Sequence, residues 1–151
     1  MIGPGTRVAD DLAHLAREIG RRLAEAGFTI VTGGEDGVME AASRGARDAG
    51  GTVVGVLPGT DRSRANEYAD IAIPTGTGHA RNLAVVASGD VVVAVGGEWG
   101  TLSEIAFAGV IGRPVVAVRG WRLDHSAELP GGVHYADGAA EAVELAVQLA
   151  G

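Results

Sequence analysis

The stretch from Asp90 to Glu104, Asp-Val-Val-Val-Ala-Val-Gly-Gly-Glu-Trp-Gly-Thr-Leu-Ser-Glu, constrains the chain more than any other. Val91 to Val95 is a continuous apolar run of mostly β-branched residues, the pattern of a strand buried on both faces. Gly96 and Gly97 end it. Gly100, Thr101 and Glu104 then open an Ala-rich apolar segment, Ile105 to Ile111, that reads as a helix. A buried parallel strand, a glycine turn and a helix N-terminus together make an anion site. The turn lets backbone N–H groups approach a ligand, and the helix dipole favours negative charge there. The stretch points to a ligand that carries a phosphate.

Composition narrows the chemistry. The chain has 151 residues, enough for one domain with a real core, and the expectation is a single domain over 1–151. It has no Cys, which removes thiolate nucleophiles, Cys-ligated zinc, iron–sulfur clusters and disulfides. All 12 basic residues are Arg, so neither a Schiff-base lysine nor the lysine of a Walker A loop is present. A net charge of −7 argues against nucleic-acid binding by a general basic surface. The first residues, Met-Ile-Gly-Pro-Gly-Thr-Arg, lack the pattern of a signal peptide, and no apolar run approaches a membrane span. A cytoplasmic enzyme or binding protein with no membrane partner is the default.

Along the chain, strands alternate with helices. Met1 to Gly3 reads as the end of a very short or truncated first strand, with Gly3-Pro4-Gly5-Thr6 as a turn. Val8 to Ala26 is helical, with Leu12, Leu15, Ile19 and Leu23 on one stripe, and Gly27 ends it. Phe28 to Thr32, Thr52 to Leu57, Asp70 to Pro74, Val91 to Val95 and Pro114 to Val118 read as strands. Val38 to Ala49, His79 to Ser88 and Asp137 to Ala150 read as helices, Pro58 to Tyr68 as a surface loop, and Arg119 to Gly132 as irregular. The alternation predicts an α/β fold, a mainly parallel sheet with helices on both faces. Ligands of such sheets sit at the carboxyl ends of the strands near the switch point, the edge where these glycine turns fall. Gly33-Gly34-x-x-Gly37 and Gly96-Gly97-x-x-Gly100 share one spacing and one strand–turn–helix setting, as expected of two half-sites facing one ligand.

The polar residues at these turns each have a structural and a functional reading. Thr101-Leu102-Ser103-Glu104 fits a capping box, yet Glu104 also lies one turn inside a helix at the ligand edge. Arg81 is either a surface guanidinium or a ligand-binding one, and a cation is poorly placed for the dipole at a helix start. Asn82 reads as structural, and Glu35 and Asp36 read as local caps, with contact to ligand hydroxyls as the alternative. His14, His125 and His134 are weak signals. His79 alone lies near the site, and no pair of His has metal-ligand spacing, so no metal or resident cofactor is expected. Ile105, Phe107, Val110 and Ile111 do not share one stripe. One face of that helix can pack on the sheet, which predicts that another packs on a partner subunit.

Two motifs carry a family resemblance. Gly33-Gly34-Glu35-Asp36-Gly37-Val38-Met39-Glu40-Ala41-Ala42 resembles the first glycine motif of the Lonely Guy (LOG) family, long mislabelled as lysine decarboxylases. Gly97-Glu98-Trp99-Gly100-Thr101-Leu102-Ser103-Glu104 resembles its Pro-Gly-Gly-x-Gly-Thr-x-x-Glu motif, and Arg81 matches the family's Arg. The resemblance implies a Rossmann-like, doubly wound α/β fold and a homodimer. It implies Arg81 and Glu104 as a catalytic pair. It implies Gly33, Gly34, Gly37, Met39, Arg81, Asn82, Gly96, Gly97, Gly100 and Thr101 as residues that hold a phosphorylated ligand. The motif's Pro is Gly96 here and its second Gly is Glu98, a carboxylate that must point away from an anion or be paired. The chain looks closer to the smaller SLOG-type group that includes the molybdenum cofactor carrier proteins. With no Lys, the lysine decarboxylase label fits poorly.

Three functions follow from these readings. The first is a nucleoside 5′-monophosphate phosphoribohydrolase, in which a carboxylate stabilises oxocarbenium character while water attacks. The second is a carrier or sensor of a nucleotide-like or molybdopterin-like ligand. The third is a structural subunit with a vestigial site.

Overall fold

The computed structural model describes residues 1–124 and 130–151, so His125 lies outside the described residues. Its layers follow from the alternation of side chains along the central strands. Every residue of β4 (Val92–Val95) and β5 (Val115–Val118) is buried. Val93, Val95, Val116 and Val118 join one core with α1 (Asp10–Glu25), α2 (Val38–Asp48) and α5 (Ala139–Ala150). Val92, Ala94, Val115 and Ala117 join a second core with α3 (Arg81–Ala87) and α4 (Trp99–Ile111). Helices therefore cover both faces of a parallel sheet, the Rossmann-like arrangement expected above.

β1 (Ile30–Thr32), β2 (Val53–Leu57) and β3 (Ile71–Pro74) pair in parallel in that order, as do β4, β5 and β6 (Val133–Ala136). Met1–Ile2 joins the two halves. Met1 N donates to Val31 O at 2.8 Å, Ile2 N donates to Val93 O at 2.9 Å, and Val95 N donates to Ile2 O at 3.0 Å. The order across the molecule is β3-β2-β1, then Met1–Ile2, then β4-β5-β6. Successive strands first run outward on one side, then return to the other, so the switch point lies where the turns after Ile2, β1 and β4 are neighbours.

Several elements differ from the sequence reading. β6 is an additional strand, in parallel register with β5 from Val115↔Val133 to Val118↔Ala136. The helix expected from His79 is divided, with a 3₁₀ turn over Gly78–Ala80 leading into α3. The loop after β2 contains a 3₁₀ turn at Arg62–Arg64, capped by the Asp61 carboxylate accepting from Ser63 N at 2.9 Å. α5 begins at Ala139 rather than Asp137, with Glu141 accepting from Asp137 N at 2.8 Å. α1 and α2 cross closely. A Cβ on Gly20 would overlap the Ala42 backbone, and one on Gly45 the Arg17 backbone.

Candidate functional site

Three turns meet at the switch point: Gly3 to Thr6 after Ile2, Gly33 to Gly37 after β1, and Gly96 to Glu98 after β4. The first two are tied by the backbone, Val38 N at the start of α2 donating to Pro4 O at 3.0 Å. Gly37 caps α2 at φ +68° and ψ −128°, a conformation L side chains rarely adopt, and α2 has no side-chain cap. Glu35 and Asp36 are therefore not caps. Asp36 is exposed, and Glu35 serves Arg81 instead.

Arg81 is buried, only 8% exposed, at the first position of α3. The surface reading of this guanidinium is thus overturned. Its Nη1 donates to Gly33 O at 2.5 Å and to Val56 O at 2.7 Å, and its Nη2 pairs with Glu35 Oε2 at 2.9 Å. These bonds tie the β1 turn to the end of β2. Nε of the same guanidinium is buried with no partner among the described residues. Met39 and Arg81 both crowd Gly33, where a Cβ would overlap each of them. Gly33, Met39 and Arg81 are thus packed together, whereas Gly34 faces Leu57 and Gly55, and Gly37 faces Pro4 and Thr6.

The capping box is absent. α4 opens at Trp99, with extended Glu98 in the N-cap position and Leu102 N donating to Glu98 O at 3.0 Å. Thr101 already lies in the first turn, 2% exposed, and its Oγ1 has no partner among the described residues. Glu104 is consequently released from a capping role. It is 9% exposed, and among the described residues no group donates to its carboxylate. Burial pushes the Glu104 carboxyl up to about 7, against nearby positive charge that includes Arg81. A carboxyl half-ionised near neutral pH, beside a buried guanidinium, is able to hold or move a proton.

Glu98, the departure from the family motif, is turned aside. Its Oε1 accepts from the Thr6 hydroxyl at 3.3 Å on the neighbouring turn. Asn82 is buried, and its Nδ2 donates to Ser103 Oγ at 3.4 Å, which donates to Gly100 O at 2.7 Å. These bonds tie α3 to the first turn of α4, a structural task. Gly96, Gly97, Gly100 and Thr101 line that turn, whereas His79 is exposed. Among the described residues no group of three or more His, Asp and Glu is arranged to hold a metal ion, and no helix is long and apolar enough to cross a membrane. Sequence reasoning missed Glu35 as the partner of Arg81, and it missed Trp121, whose Nε1 donates to Glu98 O at 3.1 Å. Position in a glycine turn signalled only a cap for the first, and the second lies in a stretch without pattern.

The chain is similar to several known proteins. The chain superposes on the molybdenum cofactor binding protein of the phototrophic bacterium Rippkaea orientalis with a TM-score of 0.89 at 36% identity, covering 97% of this chain and 92% of that one. It superposes on the molybdenum cofactor carrier protein of Chlamydomonas reinhardtii with a TM-score of 0.89 at 37% identity, covering 98% and 94%. A cytokinin riboside 5′-monophosphate phosphoribohydrolase of Mycobacterium tuberculosis is 33% identical over 120 residues, which span 74% of this chain and 64% of that protein. The family model that matches covers residues 1–146, both glycine turns, Arg81 and Glu104 included, so the chain belongs to the SLOG cluster4 family.

Proposed function

We propose that this protein holds a small phosphorylated ligand of nucleotide or pterin type at the switch point, as a carrier or sensor. The observation that carries the reading is a pair of buried polar atoms without partners at one sheet edge, Arg81 Nε and Thr101 Oγ1. An unsatisfied buried polar group costs about 1–3 kcal/mol, and ligand oxygens relieve that cost. In this reading the phosphate sits at the first turn of α4, on the N–H groups of Gly100 and Thr101 and the Thr101 hydroxyl. The turn from Gly33 to Gly37, Met39 and Arg81 form the facing wall. Holding is favoured over cutting because Arg81 already bonds two carbonyls and Glu35. Likeness over nearly the whole chain to proteins named for carrying or binding molybdenum cofactor supports it.

One observation favours a second reading, a nucleoside 5′-monophosphate phosphoribohydrolase. Glu104 is a buried carboxyl held near pKa 7 with no structural bond to keep it there. In that reading water adds to C1′ of the ribose as the bond from C1′ to the base nitrogen breaks. Glu104 stabilises the developing oxocarbenium ion, Arg81 orients it, and the water proton passes to the base.

The experiment is a panel of nucleoside 5′-monophosphates, followed by chromatography for free base and by thermal shift, with Glu104→Gln alongside. The carrier reading expects no free base and a raised melting temperature in both proteins. Base release that disappears in the variant replaces it with the hydrolase reading. Loss of both signals overturns the phosphate site itself. We also propose that a second copy of the chain packs against the outward face of α4, where Val110 and Ile111 are exposed.

A further inference from the structure

The segment after β5 is strained in a way that the phosphate site does not explain. Arg119 has φ +51°, and among the described residues it is the one non-glycine with positive φ. Strain of this kind persists only where the surroundings impose it. Gly120 follows it, packed so tightly on Gly96 that a Cβ would overlap the Gly96 carbonyl. Trp121, next in the chain, packs against the glycine turn after β4. A Cβ on Gly97 would stand 2.7 Å from its ring, and its Nε1 is locked to Glu98 O. Trp121 in turn supports Trp99, with ring centroids 5.4 Å apart and planes tilted by 43°. Trp99 is the first residue of α4 and is 78% exposed.

Resting on the phosphate-site reading above, we propose that Trp99 and Trp121 form an aromatic platform on which the planar heterocycle of the bound ligand stacks, making this pair the ring-binding subsite. Water gives an exposed indole no reward, whereas a purine or pterin face covers it and gains stacking. The platform borders the same turn whose N–H groups face the phosphate, so one ligand spans both. Its position also bears on chemistry. Trp99 and Glu104 are five residues apart, which places them about 140° apart around α4. A ring seated on the platform is therefore directed away from the Glu104 carboxyl, as suits a ligand that is held rather than cleaved.

The chain has two tryptophans and both are in this pair, so tryptophan emission, excited selectively over that of Tyr68 and Tyr135, reports on the platform alone. The probes are ribose 5-phosphate, 5′-GMP and neopterin monophosphate, with affinities from calorimetry and emission followed in parallel. Ribose 5-phosphate is expected to bind without altering tryptophan emission. The two ring-bearing ligands are expected to bind at least about tenfold more tightly and to quench it. Trp99→Ala is expected to lose that tenfold gain and keep the affinity for ribose 5-phosphate, and Trp99→Phe to recover most of it. Trp99 is exposed, so its truncation leaves the core intact. Ribose 5-phosphate binding with no gain from a ring overturns the platform alone. Failure of all three probes overturns the phosphate site and the platform with it. Unchanged ring affinity in Trp99→Ala, with a fall in oligomer mass, shows that Trp99 serves a subunit contact and also overturns the proposal.

Discussion

At the scale of single residues, the site is built from groups that the fold buries and does not satisfy. Glu104 gives the clearest test. Its carboxyl rises from the ordinary 4.5 to about 7 on burial, so the folded state binds its proton more tightly than the unfolded state. The stability contributed by the neutral form is fully present below pH ~4.5 and is lost as pH rises through ~7. Glu104→Gln imitates the neutral form at every pH. Urea unfolding of both proteins is expected to match near pH 4.5 and to favour the variant by up to ~3 kcal/mol at pH 8. A difference that does not change with pH refutes the shift. Glu35 behaves otherwise. Its side chain is about half exposed, so its pair with Arg81 is screened, and Glu35→Gln is expected to cost under about 1 kcal/mol of stability. Removing the competing carboxylate is expected to tighten ribose 5-phosphate binding several-fold by calorimetry, and weaker binding contradicts that role. Arg81 stood out in the sequence because a cation at a helix start opposes the dipole, and burial against two carbonyls is the answer the fold supplies. Thr101 and Glu104 misled because Thr-x-x-Glu spacing does not say where the helix begins. A start three residues earlier, with Glu98 rather than Thr101 at the N-cap, leaves the Glu104 carboxyl without a capping role.

At the scale of elements, the legible parts were those in which one pattern dictates one environment. Val92–Val95 and Val115–Val118 are buried on both faces, and their unbroken β-branched runs admit little else. The glycine turns were legible for the same reason. β6 was not, because Val-His-Tyr-Ala mixes types and its outer residues alone are buried. It is a strand because β5 offers it a parallel ladder, a tertiary cause invisible in four residues. The α1–α2 crossing was equally hidden, since Gly20 and Gly45 sit inside helical patterns where glycine alone signals only a weak helix. In the fold each faces the backbone of the other helix. Gly45→Ala improves intrinsic helix propensity by up to about 1 kcal/mol, yet overpacks this contact at a typical cost of 1–3 kcal/mol. The second effect wins, and the melting temperature is expected to fall. A rise means that the helices separate freely.

At the scale of the molecule, α4 is apolar around its circumference, and the sheet covers one side of it. Thr101, Glu104, Ile105, Ala108 and Gly109 face inward. On the outward side Val110 is 81% exposed and Ile111 is exposed beside it, with Leu83 exposed on the neighbouring α3. A helix apolar on two faces is suited to two partners, and the proposed second one is another copy of the chain. A second copy is the occupant favoured here, because one self-complementary patch then covers itself about a twofold axis. Val110 and Trp99 are eleven residues apart, about 16 Å along the helix, so the proposed subunit contact and the proposed ring platform fall at opposite ends of α4. Light scattering at micromolar concentration is expected to give about twice the chain mass of 15.2 kDa. Val110→Asp places a charge at the centre of the contact and is expected to return the mass to that of one chain. The fold is expected to remain intact by circular dichroism, because Val110 touches neither core. A single-chain mass for the unmodified protein refutes the contact. A dimer that survives Val110→Asp moves it to another face, the edge strand β3 with exposed Ile71 and Ile73 being the next apolar surface to test.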